Sequence, residues 1–259
     1  HISCGKNKFD NNPQQIELSD FRSFVKFCWD NRSDFKHKTY ICSPMDLGTH
    51  DSPAKYSGKN HWRLKSHALP RRFLALDLDS FSQPTVWVWL RQWLRDQHLN
   101  CFWYTTSSST LAAPRARALI ELSRAIDVTE GKVVGIAFQA RIEAAMQAAL
   151  GGSAIIQFDQ SVYELAQPIY LPVENAITKK DLQEDDINEV YDEGLLNVDA
   201  LLAHAPAIKK SVSQPTVPGV WQQKSIEDQQ LLIMQFKTQL RAWAKSGSEG
   251  SFQSADAIA

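Results

Sequence analysis

The run Phe73-Leu74-Ala75-Leu76-Asp77-Leu78-Asp79-Ser80-Phe81 constrains this chain more than any other stretch. It is apolar enough to lie inside a sheet, yet it carries two carboxylates two residues apart. Alternate side chains of a strand share a face, so Asp77 and Asp79 point one way while Leu76 and Leu78 point the other. Two neighbouring carboxylates repel unless a cation or solvent relieves them. A divalent cation does this, and hard oxygen ligands suit Mg²⁺ or Mn²⁺ better than zinc. The plain alternative is an acidic strand end, with one carboxylate capping the next helix and the other in water.

The 259 residues suffice for one sizeable core plus an appendage, or for two small domains. A formal net charge of −1 announces no global basic field, but charge is segregated along the chain. Residues 55–72 hold Lys55, Lys59, Arg63, Lys65, Arg71 and Arg72 against no carboxylate, whereas 179–199 is acid-rich. Cys4, Cys28, Cys42 and Cys101 show no closely spaced ligand pair, which favours reduced, buried thiols over a zinc site. No apolar run reaches the length of a membrane span and no secretory signal pattern opens the sequence, so a cytoplasmic protein is expected.

Periodicity outlines the elements. Ser19-Asp20 caps a helix whose apolar positions are Phe21, Phe24, Val25 and Phe27-Cys28, and a short strand is expected over 39–43. The strand at 73–81 is followed by a helix over 83–97, with Pro84 in its first turn and Trp87, Leu90, Trp93 and Leu94 on its buried stripe. A second strand covers 101–106, a third 116–122 and a fourth 154–158, with an Ala-rich helix over 129–150 ending at Gly151-Gly152. Residues 169–171 form a further short strand. The order strand, helix, strand, strand, helix, strand predicts an α+β fold with a split βαβ, RRM-like antiparallel sheet. Helices would pack on one face and the other would stay open. Residues 1–70 form an N-terminal α/β module, 71–175 the catalytic core and 176–222 a charged, Pro-containing linker; 223–259 hold a C-terminal helix and a flexible tail.

Three segments beside the paired aspartates add chemistry. Thr106-Ser107-Ser108-Ser109-Thr110 is a hydroxyl-rich loop after a strand, able to present donors to phosphate oxygens. Arg115 and Arg117 alternate on the next strand and so face one side, where they would clamp a triphosphate or simply lie at the surface. Asp159 ends the fourth strand, either as a third carboxylate of a metal cluster or as an ordinary turn aspartate. Gln167-Pro168-Ile169-Tyr170-Leu171-Pro172 has no chemistry evident from its residues.

Taken in order, Asp77-Leu78-Asp79, the segment 104–124, Asp159-Gln160-Ser161 and the segment 167–172 resemble the archaeo-eukaryotic primase superfamily, in its branch of plasmid- and phage-encoded replication proteins. The resemblance spans roughly residues 70–172. It implies a primase-polymerase that joins NTPs or dNTPs on a single-stranded DNA template with Mg²⁺ or Mn²⁺. Asp77, Asp79 and Asp159 would be catalytic metal ligands, and Thr106, Ser107, Ser109, Arg115 and Arg117 would hold the nucleotide. Lys59, Arg63, Lys65, Arg71 and Arg72 are expected to guide DNA through its phosphates. The C-terminal helix would meet a replicative helicase or an initiator. Relatives carry histidines in a loop like Thr-His-Ser-His-Thr where this chain has Ser107 and Ser109. Loss of that charge-assisted contact implies weakened nucleotide affinity or turnover. A replication initiator that keeps the fold without efficient synthesis is the alternative, and a metal-dependent nuclease is a second one.

Overall fold

The computed structural model describes residues 1–7, 9–10, 12–33, 38–46, 63–110, 113–173, 188–191 and 194–204, the strand at 188–191 by its backbone alone. The first compact unit runs from His1 to Ala207 and the second from Ile208 to Ala259. The described residues all lie in the first, so the helix expected within 223–259 falls outside them. Lys59 also lies outside them.

Nine strands, β1 Ile2–Gly5, β2 Gln14–Ile16, β3 Tyr40–Cys42, β4 Arg71–Phe81, β5 Cys101–Thr105, β6 Ala116–Ile126, β7 Ile156–Phe158, β8 Ile169–Tyr170 and β9 Asn188–Tyr191, form two antiparallel sheets among the described residues. Their orders are β2-β1-β3-β8 and β7-β4-β6-β5-β9. Four helices accompany them: α1 Phe21–Asp30, α2 Pro84–Asp96, α3 Gly131–Leu150 and α4 Val198–Ala203. The larger sheet holds the strands expected from the sequence. β7 lies beside β4 because the chain leaves α3 at Gly151, whose φ of 84° suits a residue without a Cβ, and turns back through Ala154.

Local chemistry starts α1 and α2. Asp20 and Ser23 close a reciprocal capping box, with Ser23 N donating to Asp20 Oδ1 at 2.7 Å and Asp20 N to Ser23 Oγ at 3.0 Å. In α2, Pro84 sits in the first turn, where its missing N–H costs nothing. The stripe Val86, Trp87, Leu90 and Leu94 is buried. Trp87 meets Trp103 of β5 edge to face at 5.1 Å, so α2 covers the sheet face that carries Leu74, Leu76, Leu78 and Trp103. Removing each such large side chain from water contributes about 1.5–3 kcal/mol.

The opposite face differs from expectation. It carries Phe73, Ala75, Asp77 and Asp79 of β4, Arg117 and Leu119 of β6, and Phe102 and Tyr104 of β5, as the registers Asp77↔Arg117 and Tyr104↔Arg117 require. Much of it is covered: Phe24 of α1 packs on Phe73 at 5.1 Å, and the Tyr104 hydroxyl donates to the Tyr170 carbonyl of β8 at 2.8 Å. Phe73, Phe102 and Tyr104 are buried. Exposed aromatic surface of that size would be costly, and the N-terminal layer supplies its cover.

The short strand expected at 169–171 is present as β8 and joins the small sheet through Tyr40↔Tyr170 and Ile41↔Ile169. One further expectation is corrected, that of the linker. The fifth strand of the large sheet is β9, paired with β5 from Cys101↔Tyr191 to Tyr104↔Asn188, and it comes from the segment expected to be linker, as does α4. Asn197 caps α4 by accepting from Ala200 N at 2.9 Å. The thiols of Cys28, Cys42 and Cys101 are buried, Cys4 is partly so, and none of the four is in a disulfide among the described residues. Burial pushes the Cys42 thiol up to about 12.

Candidate active site

The paired aspartates stand near the end of β4, where Asp77 is nearly buried and Asp79 reaches half-exposed ground. Antiparallel pairing with β6 sets Arg117 opposite Asp77, and Arg115, just before that strand, lies near Asp79. Arg117 Nη2 donates to Asp77 Oδ2 at 2.5 Å, and Arg115 Nη1 lies 3.8 Å from Asp79 Oδ1. The two pairs differ in kind. Asp77 and Arg117 expose 10% and 12% of their side chains and form a direct hydrogen-bonded ion pair, whereas Asp79 and Arg115 expose 42% and 43% and stand slightly apart in solvent.

The second amino group of Arg117 donates to the Tyr170 carbonyl at 2.8 Å, the same oxygen that receives the Tyr104 hydroxyl. This gives the segment 167–172 a role that its sequence did not disclose. β8 delivers a backbone acceptor that ties β6 and β5 to the small sheet, and Leu171 N donates to the Thr39 carbonyl at 3.1 Å to fix the strand's end. Burial would push the Arg117 guanidinium down, but Tyr104 and the Asp77 carboxylate beside it outweigh this and hold it above the ordinary value. Burial raises the Tyr104 phenol, so it stays a neutral donor.

Asp159 comes to the site through β7. Its N–H donates to the Asp77 carbonyl at 2.9 Å, continuing the pairing of Leu78 with Phe158. Its carboxylate turns to its own chain, where Oδ1 accepts from Ser161 N at 2.9 Å at the head of a 3-10 turn, Gln160–Tyr163. Asp79 has its carboxyl pushed above the usual range by partial burial and the charge of Asp77, with Asp159 adding to this and Arg115 and Arg117 opposing it. Asp79 thus feels the charge of both other carboxylates. The three do not compose a cation site as they stand: among the described residues no three His, Cys, Asp or Glu side chains converge on one point. Asp77 is committed to Arg117 and Asp159 to Ser161.

The hydroxyl loop is built as a tight turn. Ser109 N donates to the Thr106 carbonyl at 3.0 Å, Thr106 N to the Arg115 carbonyl at 3.1 Å, and Arg115 N to Ser109 Oγ at 3.0 Å. Ser109 is buried, so its hydroxyl braces Arg115 from within, while Thr106 and Ser107 are partly accessible at the turn. Of the residues expected to hold a nucleotide, Arg115 is the cation with open guanidinium surface and Arg117 is enclosed.

The expected DNA-guiding residues do not form one set. Arg71 is a correction: it is fully buried, its Nη2 donates to the Val162 carbonyl at 3.3 Å, and its guanidinium lies 4.8 Å from the Phe73 ring centre. Burial pushes it down to about 10. A side chain so enclosed does not meet a solvent-borne phosphate. Arg63 packs over Tyr40 at 5.2 Å, Lys65 pairs with Glu164 at 2.7 Å, and Arg72 is exposed beside a cavity of about 380 Å³ lined by Phe21, Phe24 and Phe73.

No protein family matches the chain, and no curated protein does. Among solved structures it is similar to the polymerase domain of Mycobacterium tuberculosis Ligase D in complex with DNA, at 17% identity and a TM-score of 0.32. The alignment covers 52% of this chain and 52% of that one, so the chain spans about half of that structure. No helix of the described residues is long and apolar enough to cross a membrane.

Proposed function

We propose that this chain is a DNA-dependent primase-polymerase of the archaeo-eukaryotic primase type, from a plasmid, phage or other mobile element. The observation that carries the reading is the Asp159 N–H bond to the Asp77 carbonyl, which brings a residue 82 positions away in sequence to the paired aspartates. The connection order and the strand order β7-β4-β6-β5 support an RRM-like catalytic core with these three residues at one edge. Arg115, braced by Ser109, offers a solvent-facing cation to a nucleotide's phosphates, and Thr106 and Ser107 offer hydroxyls from the adjoining turn. Arg63, Lys65 and Arg72 remain as contacts for a single-stranded template.

Nucleotidyl transfer of this class takes Mg²⁺ or Mn²⁺ to polarise the reacting phosphate. Asp77, Asp79 and Asp159 are the residues that would hold such an ion after their present partners release them. The test is primer synthesis and primer extension on single-stranded DNA with labelled NTPs or dNTPs in Mg²⁺ or Mn²⁺, comparing wild type with Asp79→Asn. Asp79 is the better probe because it is half-exposed and supports no buried ion pair. Equal product from the two proteins rejects the reading.

One observation favours the alternative of an initiator that binds DNA without efficient synthesis: the cation opposite Asp77 is already present as Arg117. DNA binding indifferent to nucleotide and to Asp79→Asn, with no synthesis by wild type, selects that reading.

A further inference from the structure

β4 and β6 part near the start of β4. Their register shifts between Arg71↔Ile126 and Phe73↔Glu121, so residues 122–125 of β6 stand opposite Arg72 alone. A bulge of this kind bends a strand and re-aims its side chains. Here it borders the cavity of about 380 Å³, which lies within the size range of ligand pockets. Phe21 and Phe24 of α1 and Phe73 of β4 give the cavity an aromatic wall, and Arg72 and Glu121 bring charge to it. Phe73 and Glu121 are a register pair on the face that carries Asp77, which follows four residues later on β4. At about 3.3 Å per residue that separation is about 13 Å.

Both charged groups have capacity to spare. Arg72 is exposed and makes no side-chain hydrogen bond or ion pair among the described residues. Glu121 is half-buried; its Oε2 accepts from Asn100 Nδ2 at 2.7 Å, and its Oε1 has no partner among the described residues. A planar group with an amino donor on its edge and an anion beside it satisfies the rings, the carboxylate oxygen and the guanidinium together. A nucleotide has that constitution. Adenine, cytosine and guanine present an exocyclic amino group, and thymine does not.

We propose that this cavity receives one base of the single-stranded template, a base whose exocyclic amino group donates to Glu121, while Arg72 holds the adjoining phosphate. The inference rests on reading the chain as a DNA-dependent polymerase. It makes the cavity a base-selective grip on the template, set apart from the paired aspartates.

Fluorescence anisotropy of the full chain with labelled single strands tests it. An oligothymidylate is compared with the same strand carrying one internal adenine, or one unsubstituted purine at that place, in wild type, Arg72→Met and Ala125→Leu. Ala125 lines the cavity from an exposed position, so a leucine there takes up space without disturbing the core. Wild type is expected to bind the adenine-bearing strand about tenfold more tightly than oligothymidylate and to lose most of that gain with plain purine. Ala125→Leu should abolish the preference, and Arg72→Met should weaken binding of every strand. Equal affinity of wild type for the strands, a full gain with plain purine, a preference that survives Ala125→Leu, or unchanged binding by Arg72→Met overturns the inference. Primer extension by wild type then leaves the polymerase reading standing. Absence of both strand binding and primer extension overturns the two together. Deoxyadenosine monophosphate that competes as well as the adenine-bearing strand assigns the cavity to a free nucleotide and overturns the template assignment.

Discussion

Removing either member of the Asp77–Arg117 pair strands the other in a poorly hydrated place. Breaking a buried ion pair by deleting one partner costs about 3–5 kcal/mol, and the residual exposure of 10% and 12% places this pair at the lower end. Asp77→Asn keeps an amide oxygen able to accept from Arg117, so its cost is about 2 kcal/mol. Arg117→Met also forfeits the bond to Tyr170, although that carbonyl retains the Tyr104 hydroxyl, and costs about 3–4 kcal/mol. The double variant leaves no uncompensated charge, so its loss falls short of the sum by about 2 kcal/mol. At roughly 2–4 °C per kcal/mol for a chain of this size, the single variants lose about 4–16 °C in Tm. Urea unfolding followed by tryptophan fluorescence, with Trp103 fully buried in β5, reads all four corners of the cycle. Additivity within about 0.5 kcal/mol would refute the argument that these side chains neutralise one another.

Asp79→Asn tests the like-charge cluster by its pH dependence. The folded-state pKa of Asp79 lies above its unfolded value, so the group's contribution is intact below the carboxylate range and is lost as pH rises through the folded pKa. The substitution is therefore expected to raise Tm by roughly 1–2 °C at neutral pH and to have little effect near pH 3, after allowing for solvent screening; a gain that grows on acidification contradicts the assignment. Gly135→Ala places a Cβ 2.3 Å from the Tyr163 ring, and chemical denaturation should show a loss of about 1–3 kcal/mol. Asp20→Ala removes the N-terminal cap of α1 and should cost about 1 kcal/mol in the same assay, with the strands unaffected by circular dichroism.

The comparison of sequence with structure is clearest on β4. Its alternation fixes Asp77 and Asp79 on one face and Leu76 and Leu78 on the other, and strand pairing respects this. The starts of α1 and α2 and the end of α3 were equally legible, because capping side chains, a first-turn proline and a terminal glycine act within a few residues. Arg71 carries the expected charge but not the expected surface position. A cationic residue at the start of a strand looks like surface until the packing of Phe73 and the Val162 segment encloses it. β9 escaped notice because a four-residue edge strand in an acid-rich segment has too little hydrophobic pattern to register, while backbone pairing with β5 needs none.

Local alternation is legible in the residues alone: two carboxylates on one side of a strand, two arginines on one side of the next, and a hydroxyl loop between strands. Long-range packing set which ion pair is direct and buried, which arginine keeps solvent access and which face is covered. Those outcomes depend on the registers between β4, β6 and β7 and on the arrival of Tyr170 from the second sheet. They are contacts across 38 to 80 residues of chain, and side-chain period carries no information about distances of that kind.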